Sequence, residues 1–107
     1  MKLKMTILSA ALLSSGVGLA LAAPGPEEAC QALAKQTREA VALKKQGQSV
    51  VQAVGSLSAQ PVPHSVPAAQ HDFYKTKLPP AIRFAYMGGI SGDGVAQFYL
   101  KQCRQGS

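Results

Sequence analysis

The longest helical pattern in the chain follows Pro26, where small or apolar residues recur every three or four positions and polar residues fall between them. The members of this narrow stripe are Cys30, Leu33, Thr37, Ala40, Val41 and Lys44, with Ala34 beside them. The proline and the two glutamates after it suit a first helical turn. Lys44-Lys45 followed by Gly47 suits a helix end. The pattern predicts a helix over about 27–46.

A second, shorter pattern follows directly. Ser49 and Gln52 have the spacing of a capping box, in which each side chain bonds the backbone of the other residue. Valines and a leucine continue at helical spacing to Leu57. We therefore expect a short second helix that ends near Leu57.

The last third of the chain predicts two more helices. Pro79-Pro80 is typical of a helix start, so we expect a short third helix that ends at Gly88-Gly89. Ser91 or Asp93 is expected to cap a fourth helix over about 94–104. Its apolar face consists of Val95, Phe98, Tyr99 and Cys103. The glycine-rich run 88–94 matches neither phosphate-loop motif and is interpreted as a tight turn.

Between these pairs of helices, residues 59–70 contain three prolines. Proline at this density stops a helix and removes sheet donors, which favours a linker or an extended surface loop. The expected fold is therefore all-α: a small bundle of about four helices, two of them short, with a Pro-rich loop at 59–70. All six aromatic residues lie in the C-terminal half. We expect them to pack on the small-residue face of the first helix, so that Phe98→Ala costs about 3–5 kcal/mol.

The first 22 residues have the features of a secretory signal peptide. Lys2 and Lys4 precede an uncharged, Leu/Ala-rich run that ends in Ala20-Leu21-Ala22, a small-x-small cleavage pattern. We expect cleavage near Ala22, and a single helical domain over 23–107. The short basic start is typical of bacteria, so the periplasm, or secretion, is the expected destination. An uncleaved membrane anchor is the alternative.

The two cysteines support the same destination. Export places Cys30 and Cys103 in an oxidising compartment, where a pair normally forms a disulfide. We expect this bond to be intramolecular and structural, because no CxxC motif is present. Free thiols and an intermolecular bond remain the alternatives.

The sequence offers no recognisable catalytic, metal-binding or cofactor-binding set. His64 and His71 lie seven positions apart beside a proline-rich segment and are interpreted as exposed loop histidines. His71-Asp72 has no nucleophile nearby to complete a triad. The 107 residues include only five acidic ones, so we expect a protein that is not an enzyme and needs no cofactor.

The formal charge of +6 suggests what the chain could bind. Five basic residues alternate with aromatics and are the candidates for a partner-facing surface: Lys75, Lys77, Arg83, Lys101 and Arg104. Export argues against nucleic acid, so an envelope protein or an anionic envelope component is the expected partner. A merely solvated basic surface is the alternative. We expect no stable membrane insertion after signal cleavage.

Several short sequences together resemble a loose group of small exported proteobacterial proteins. They are Cys30-Gln31, Gly47-Gln48-Ser49, Ala85-Tyr86 and Phe98-Tyr99-x-x-x-Cys103. The resemblance implies a mostly helical, two-cysteine protein, and it transfers no functional residues because the group has no assigned function. In size, export, helicity and single disulfide the chain is also similar to periplasmic acid-stress chaperones.

Taken together, these features predict a small exported, non-enzymatic binding protein of the bacterial envelope, such as an inhibitor or an immunity-type protein. A periplasmic stress chaperone and an undetected enzyme are the alternatives.

Overall fold

The first helix is the centre of the molecule, and the other helices pack around it. The computed structural model describes residues 25–89 and 91–106. Within them lie α1 (Glu27–Lys45), α2 (Val50–Ser58), α3 (His71–Met87) and α4 (Gly92–Gln105), together with a single 3₁₀ turn at Ala68–Gln70. The predicted all-α bundle of four helices is confirmed. The predicted signal peptide, residues 1–22, lies outside the described residues.

The buried surface of α1 is much wider than the predicted stripe. Besides the expected positions, which include Ala34 beside the stripe, Ala29 and Ala32 are buried. The reason is that α3 and α4 both pack along α1, on different sides, so two faces of one helix are covered. Alanine suits these positions because its small side chain allows helices to approach closely. Lys44, which was placed in the stripe, is exposed.

The second helix forms as predicted. The Ser49 side chain accepts a hydrogen bond from the Gln52 backbone N–H at 3.1 Å, and the Gln52 side chain accepts one from the Ser49 N–H at 3.0 Å. The capping box is therefore complete. Ala53 and Leu57 are the buried residues of α2.

The predicted start of the third helix was wrong. α3 begins at His71, and Pro79 and Pro80 lie inside it. Each proline removes one helical hydrogen bond, and the carbonyls left without these donors belong to exposed Lys75 and Thr76, where water can reach them. Packing against α1 compensates for the lost bonds, through the buried residues Tyr74, Leu78, Ala81, Ile82 and Ala85. Consequently only α2 is short.

The core is more aliphatic than predicted. Its largest fully buried side chains are Leu33, Ile82 and Val95, and Tyr74 is the one aromatic residue in the buried part of the core. Phe98, which was expected to be buried, is 49 % exposed. It lies on the side of α4 that faces α3, and these two helices touch each other little.

The proline-rich segment is more ordered than a linker. Val66 is buried in the core, and its backbone N–H donates to the Pro63 carbonyl at 3.0 Å. Ala68–Gln70 then forms the 3₁₀ turn that leads into α3. The segment is therefore a fixed connection between α2 and α3.

The disulfide between Cys30 and Cys103 is present and joins the first turn of α1 to the end of α4. Gly25 lies directly against it. The Gly25 N–H donates to the Cys103 carbonyl at 3.0 Å. A Cβ atom at this position would lie 2.7 Å from the Cys30 sulfur, so only glycine fits without a shift.

Candidate binding groove

An apolar groove runs between α3 and α4, because both helices pack mainly on α1 and touch each other little. It encloses about 380 Å³. Pro80 and Phe84 of α3 form one wall, and Phe98 and Tyr99 of α4 form the other. Buried Ala81 closes the floor. A concave apolar surface of this kind is the usual form of a binding site in a small protein.

The two walls meet in an aromatic cluster. The rings of Phe84 and Phe98 are stacked, with centroids 5.8 Å apart and planes at 14°. Tyr99 is tilted against Phe84, with centroids 6.0 Å apart. These distances lie in the favourable range for aromatic pairs. Burial raises the pKa of Tyr99. Phe98 thus has one face on Phe84 and remains half-exposed at the groove.

Two solvent-exposed ion pairs lie near the ends of α4, the helix that carries Phe98. At one end, Arg104 Nε donates to Glu27 Oε1 at 2.9 Å, beside the disulfide. At the other end, Arg38 Nε donates to Asp93 Oδ1 at 2.7 Å. The bond from Arg104 lowers the pKa of the Glu27 carboxyl and raises that of Arg104 itself. Both pairs join α4 to α1.

The start of α4 is capped within the chain. The Ser91 side chain accepts from the Gly94 N–H at 3.1 Å, so Ser91 is the cap and Asp93 is the partner of Arg38. α4 begins at Gly92, so residues 92–94, which were expected in the turn before this helix, form its first turn instead.

A different set of contacts fixes the C-terminal end of α3. Lys44 Nζ donates to the Tyr86 carbonyl at 2.7 Å and lies 5.9 Å from the centroid of the Tyr86 ring. The Tyr86 hydroxyl in turn donates to the Gln48 carbonyl at 2.9 Å. Burial raises the pKa of Tyr86. The last turn of α3 is therefore held to the connection between α1 and α2.

The N-terminal end of α3 is held by Gln70. Its side chain accepts from the Ala29 N–H and donates to Glu28, both at 2.9 Å. The bond from Gln70 lowers the pKa of the Glu28 carboxyl. Each wall of the groove is thus anchored to α1, and the ring contacts of Phe84 with Phe98 and Tyr99 join the two walls directly.

The five basic residues proposed as partner-facing are all exposed, but the structure does not bring them together. Lys77 lies at the rim of the groove, and Lys101 follows Phe98 by one turn of α4. Lys75 and Arg83 lie on the side of α3 that borders α2. Arg104 is engaged by Glu27. Of the five, only Lys77 lines the apolar groove, and Lys101 lies one helical turn from Phe98 on the exposed surface of α4.

Comparison with known proteins does not indicate what the groove binds. The chain matches no family model, no curated protein and no solved structure. The resemblance to small exported two-cysteine proteins stays a prediction, and the groove must be interpreted from its own chemistry.

A second cavity, of about 640 Å³, lies between the proline-rich segment and α3. His71 and Tyr74 line it. His71 Nε2 lies 3.1 Å from the Val66 carbonyl, which can only accept, so this nitrogen is a donor in that contact. Burial raises the pKa of Tyr74, and a hydrogen bond from Gln36 partly opposes this. Within residues 25–89 and 91–106, His71 has no hydrogen bond to Asp72, so the two do not form a His–Asp pair of the kind found in catalytic triads.

The two histidines differ from the prediction in one respect. His64 is exposed in the proline-rich segment, as expected, whereas His71 is half-buried and opens α3. The described part of the chain contains no group of three or more His, Cys, Asp or Glu side chains that could hold a metal ion. The same residues include no helix with the length and hydropathy needed for a membrane crossing.

Sequence reasoning missed the α3 wall of the groove. Phe73, Lys77, Pro80 and Phe84 share one side of a helix through their spacing of four, three and four residues. That pattern was readable in the sequence. It was lost because Pro79-Pro80 was treated as a helix start, which cut the pattern in two.

Proposed function

We propose that the protein is a small exported binding protein of the bacterial envelope, without catalytic activity, and that it holds a partner in the groove between α3 and α4. The observation that carries this proposal is the half-exposed Phe98 ring, stacked on Phe84 in an apolar groove. Exposed apolar surfaces in small proteins commonly mark interaction sites, and aromatic side chains are the usual anchors of interfaces.

The lining of the groove supports binding rather than catalysis. Its lining consists of three aromatic rings, a proline, an alanine, Lys77 and Gln102, and it presents no carboxylate or histidine for acid–base chemistry. The intramolecular disulfide supports export, because such bonds persist in oxidising compartments. The proposed location is the periplasm, which the signal-like start of the sequence also favours.

The test is site-specific photo-crosslinking in living cells. A photoreactive amino acid replaces Phe98 in one variant and Val51 in a second, and the adducts are identified by mass spectrometry. Val51 is the matched control because it is apolar and 78 % exposed but lies on α2, away from the groove. We expect one dominant heteromeric adduct from position 98 and none of that mass from position 51.

Two results would contradict the proposal. An absence of adducts at position 98, with the protein exported and oxidised, would remove the groove as a binding site. A ladder of many different proteins that grows on acidification would favour a stress chaperone instead.

A further inference from the structure

The charges around the groove carry a further inference, which rests on the proposed function. All five acidic side chains of the chain lie in the described residues, and none lines the groove. Glu27 and Asp93 are paired with arginines, and Glu28 is bonded to Gln70. Glu39 lies on α1 and Asp72 opens α3, each at an exposed position.

The basic side chains at the groove are placed differently. Lys77 is exposed at its rim, with Nζ 5.8 Å from the centroid of the Phe73 ring. Lys101 is exposed three residues after Phe98, on the neighbouring position of the same helix side. The groove is therefore an apolar strip lined by Lys77, with Lys101 one helical turn from Phe98 on the adjacent exposed surface of α4.

We propose that the occupant is an amphipathic helix of another protein, with apolar side chains that enter the groove and carboxylates that face Lys77 and Lys101. Helix-in-groove recognition places apolar side chains one turn apart between two host helices. The described part of the chain contains no strand, so it offers no sheet edge to which an extended peptide could add. Charge complementarity selects the acidic partner.

The same charges argue against a second copy of this chain as the occupant. A symmetric dimer through the groove would bring the same surface of both copies together. Such a dimer would place the Lys77 and Lys101 of both copies around one shared apolar interface, and the groove holds no carboxylate to neutralise them. Like charges at an interface oppose association.

The test uses a displayed library of amphipathic helices of about four turns. Their apolar positions are randomised, and their flanking positions carry Glu, Lys or Gln. The library is selected on the full, oxidised protein and on three variants: Phe98→Ser, Lys77→Glu/Lys101→Glu, and Lys35→Glu/Lys45→Glu. The last is the matched control, because it makes the same change in net charge at exposed positions of α1 outside the groove. Circular dichroism checks that each variant is folded.

We expect the wild-type protein to enrich Glu-flanked helices at least about tenfold over Lys-flanked ones. The preference should persist in the Lys35/Lys45 variant, reverse in the Lys77/Lys101 variant, and disappear together with binding in Phe98→Ser. An equal loss of the preference in both charge variants would overturn the inference, because it would show a net-charge effect rather than a local one.

The remaining outcomes separate this inference from the proposed function. A discrete crosslink at position 98 without enrichment of acidic helices would leave the binding function standing and overturn the acidic-helix partner. Groove-dependent binding to phosphatidylglycerol vesicles, with no peptide enrichment, would assign the groove to a membrane surface. A monomer–dimer equilibrium in sedimentation that Phe98→Ser abolishes would assign it to a second copy.

Discussion

Lys44 and Tyr86 contact each other twice, once through the backbone and once through the ring. Lys44 Nζ donates to the Tyr86 carbonyl at 2.7 Å and lies 5.9 Å from the ring centroid. The residue that the sequence pattern placed among the apolar positions of α1 is thus a polar link between the ends of α1 and α3.

Replacing Lys44 should loosen this link. We expect Lys44→Met to lower the free energy of unfolding by about 1 kcal/mol, since it removes a charge-assisted hydrogen bond and an exposed cation–π contact. Lys45→Met is the control: it removes the same charge from the same helix end and should change stability by less than about 0.5 kcal/mol. Urea unfolding measures both, and equal effects would show that the Lys44 contacts contribute nothing.

Phe98 should contribute little to stability. Because the side chain is half-exposed, we expect Phe98→Ala to cost about 1 kcal/mol, below the 3–5 kcal/mol that the sequence pattern predicts for a buried ring. Leu33→Ala, at a fully buried position, should cost about 2–5 kcal/mol. A Phe98→Ala cost as large as that of Leu33→Ala would contradict the assignment of Phe98 to a binding surface.

The contrast between Phe98 and Leu33 shows what the sequence could predict. Three predictions were confirmed: the Ser49–Gln52 capping box, the end of α1 before Gly47, and the pairing of the two cysteines. These depend on neighbouring residues or on a single possible partner. The burial of Phe98 depends on how closely α4 approaches α3, which no helical period encodes.

The prediction of where α3 begins was wrong for a related reason. Pro79 and Pro80 cost two backbone hydrogen bonds, and the sequence pattern therefore places the start of the helix there rather than its middle. The helix continues because Tyr74 and Leu78 on one side of the prolines and Ile82 on the other pack on the same helix, α1. The lost hydrogen bonds are thus compensated by tertiary packing, which the local sequence around the prolines does not show. The groove follows from it, because Pro80 and Phe84 reach one wall only if the helix is continuous.

Gly25 should be intolerant of any side chain. An added Cβ would lie 2.6 Å from the Cys103 carbonyl oxygen and 2.7 Å from the Cys30 sulfur, so we expect Gly25→Ala to destabilise by about 1–3 kcal/mol. Gly55→Ala is the control. A Cβ atom added at position 55 would have no neighbour within 4 Å. Because alanine is a better helix former than glycine, this substitution should raise the free energy of unfolding by about 0.5–1 kcal/mol. Thermal unfolding of the two variants should therefore shift in opposite directions.

The disulfide should supply a large part of the stability. It joins residues 73 positions apart, and the chain-entropy model gives about 4.5 kcal/mol for a loop of that size. We expect Cys30→Ala/Cys103→Ala to lose about 2–5 kcal/mol, measured by urea unfolding. Reduction of the wild-type protein should give a loss of similar size. A loss below about 1 kcal/mol in both experiments would rule out this stabilising role.

Stability should decline in acid partly through Glu27. The folded-state pKa of its carboxyl is lowered, mainly by the bond from Arg104. The ionised Glu27 carboxylate therefore contributes fully to the free energy of unfolding above the ordinary glutamate pKa. This contribution is lost as the pH falls through the lower folded-state value. We expect Glu27→Gln and Arg104→Gln to flatten the same acidic part of a stability–pH curve. Glu39→Gln is the charge control, and an unchanged curve in Glu27→Gln would contradict the assignment.

Both ends of the described chain converge on the Cys30–Cys103 bridge: Gly25 bonds the Cys103 backbone, and Gly106 follows three residues later. This arrangement determines how the molecule responds to mechanical force. Tension applied between residues 25 and 106 passes through the bridge, and α2 and α3 lie outside the loaded path. If the protein is tethered at one end and pulled at the other, the groove should keep its shape until the covalent bond itself is broken.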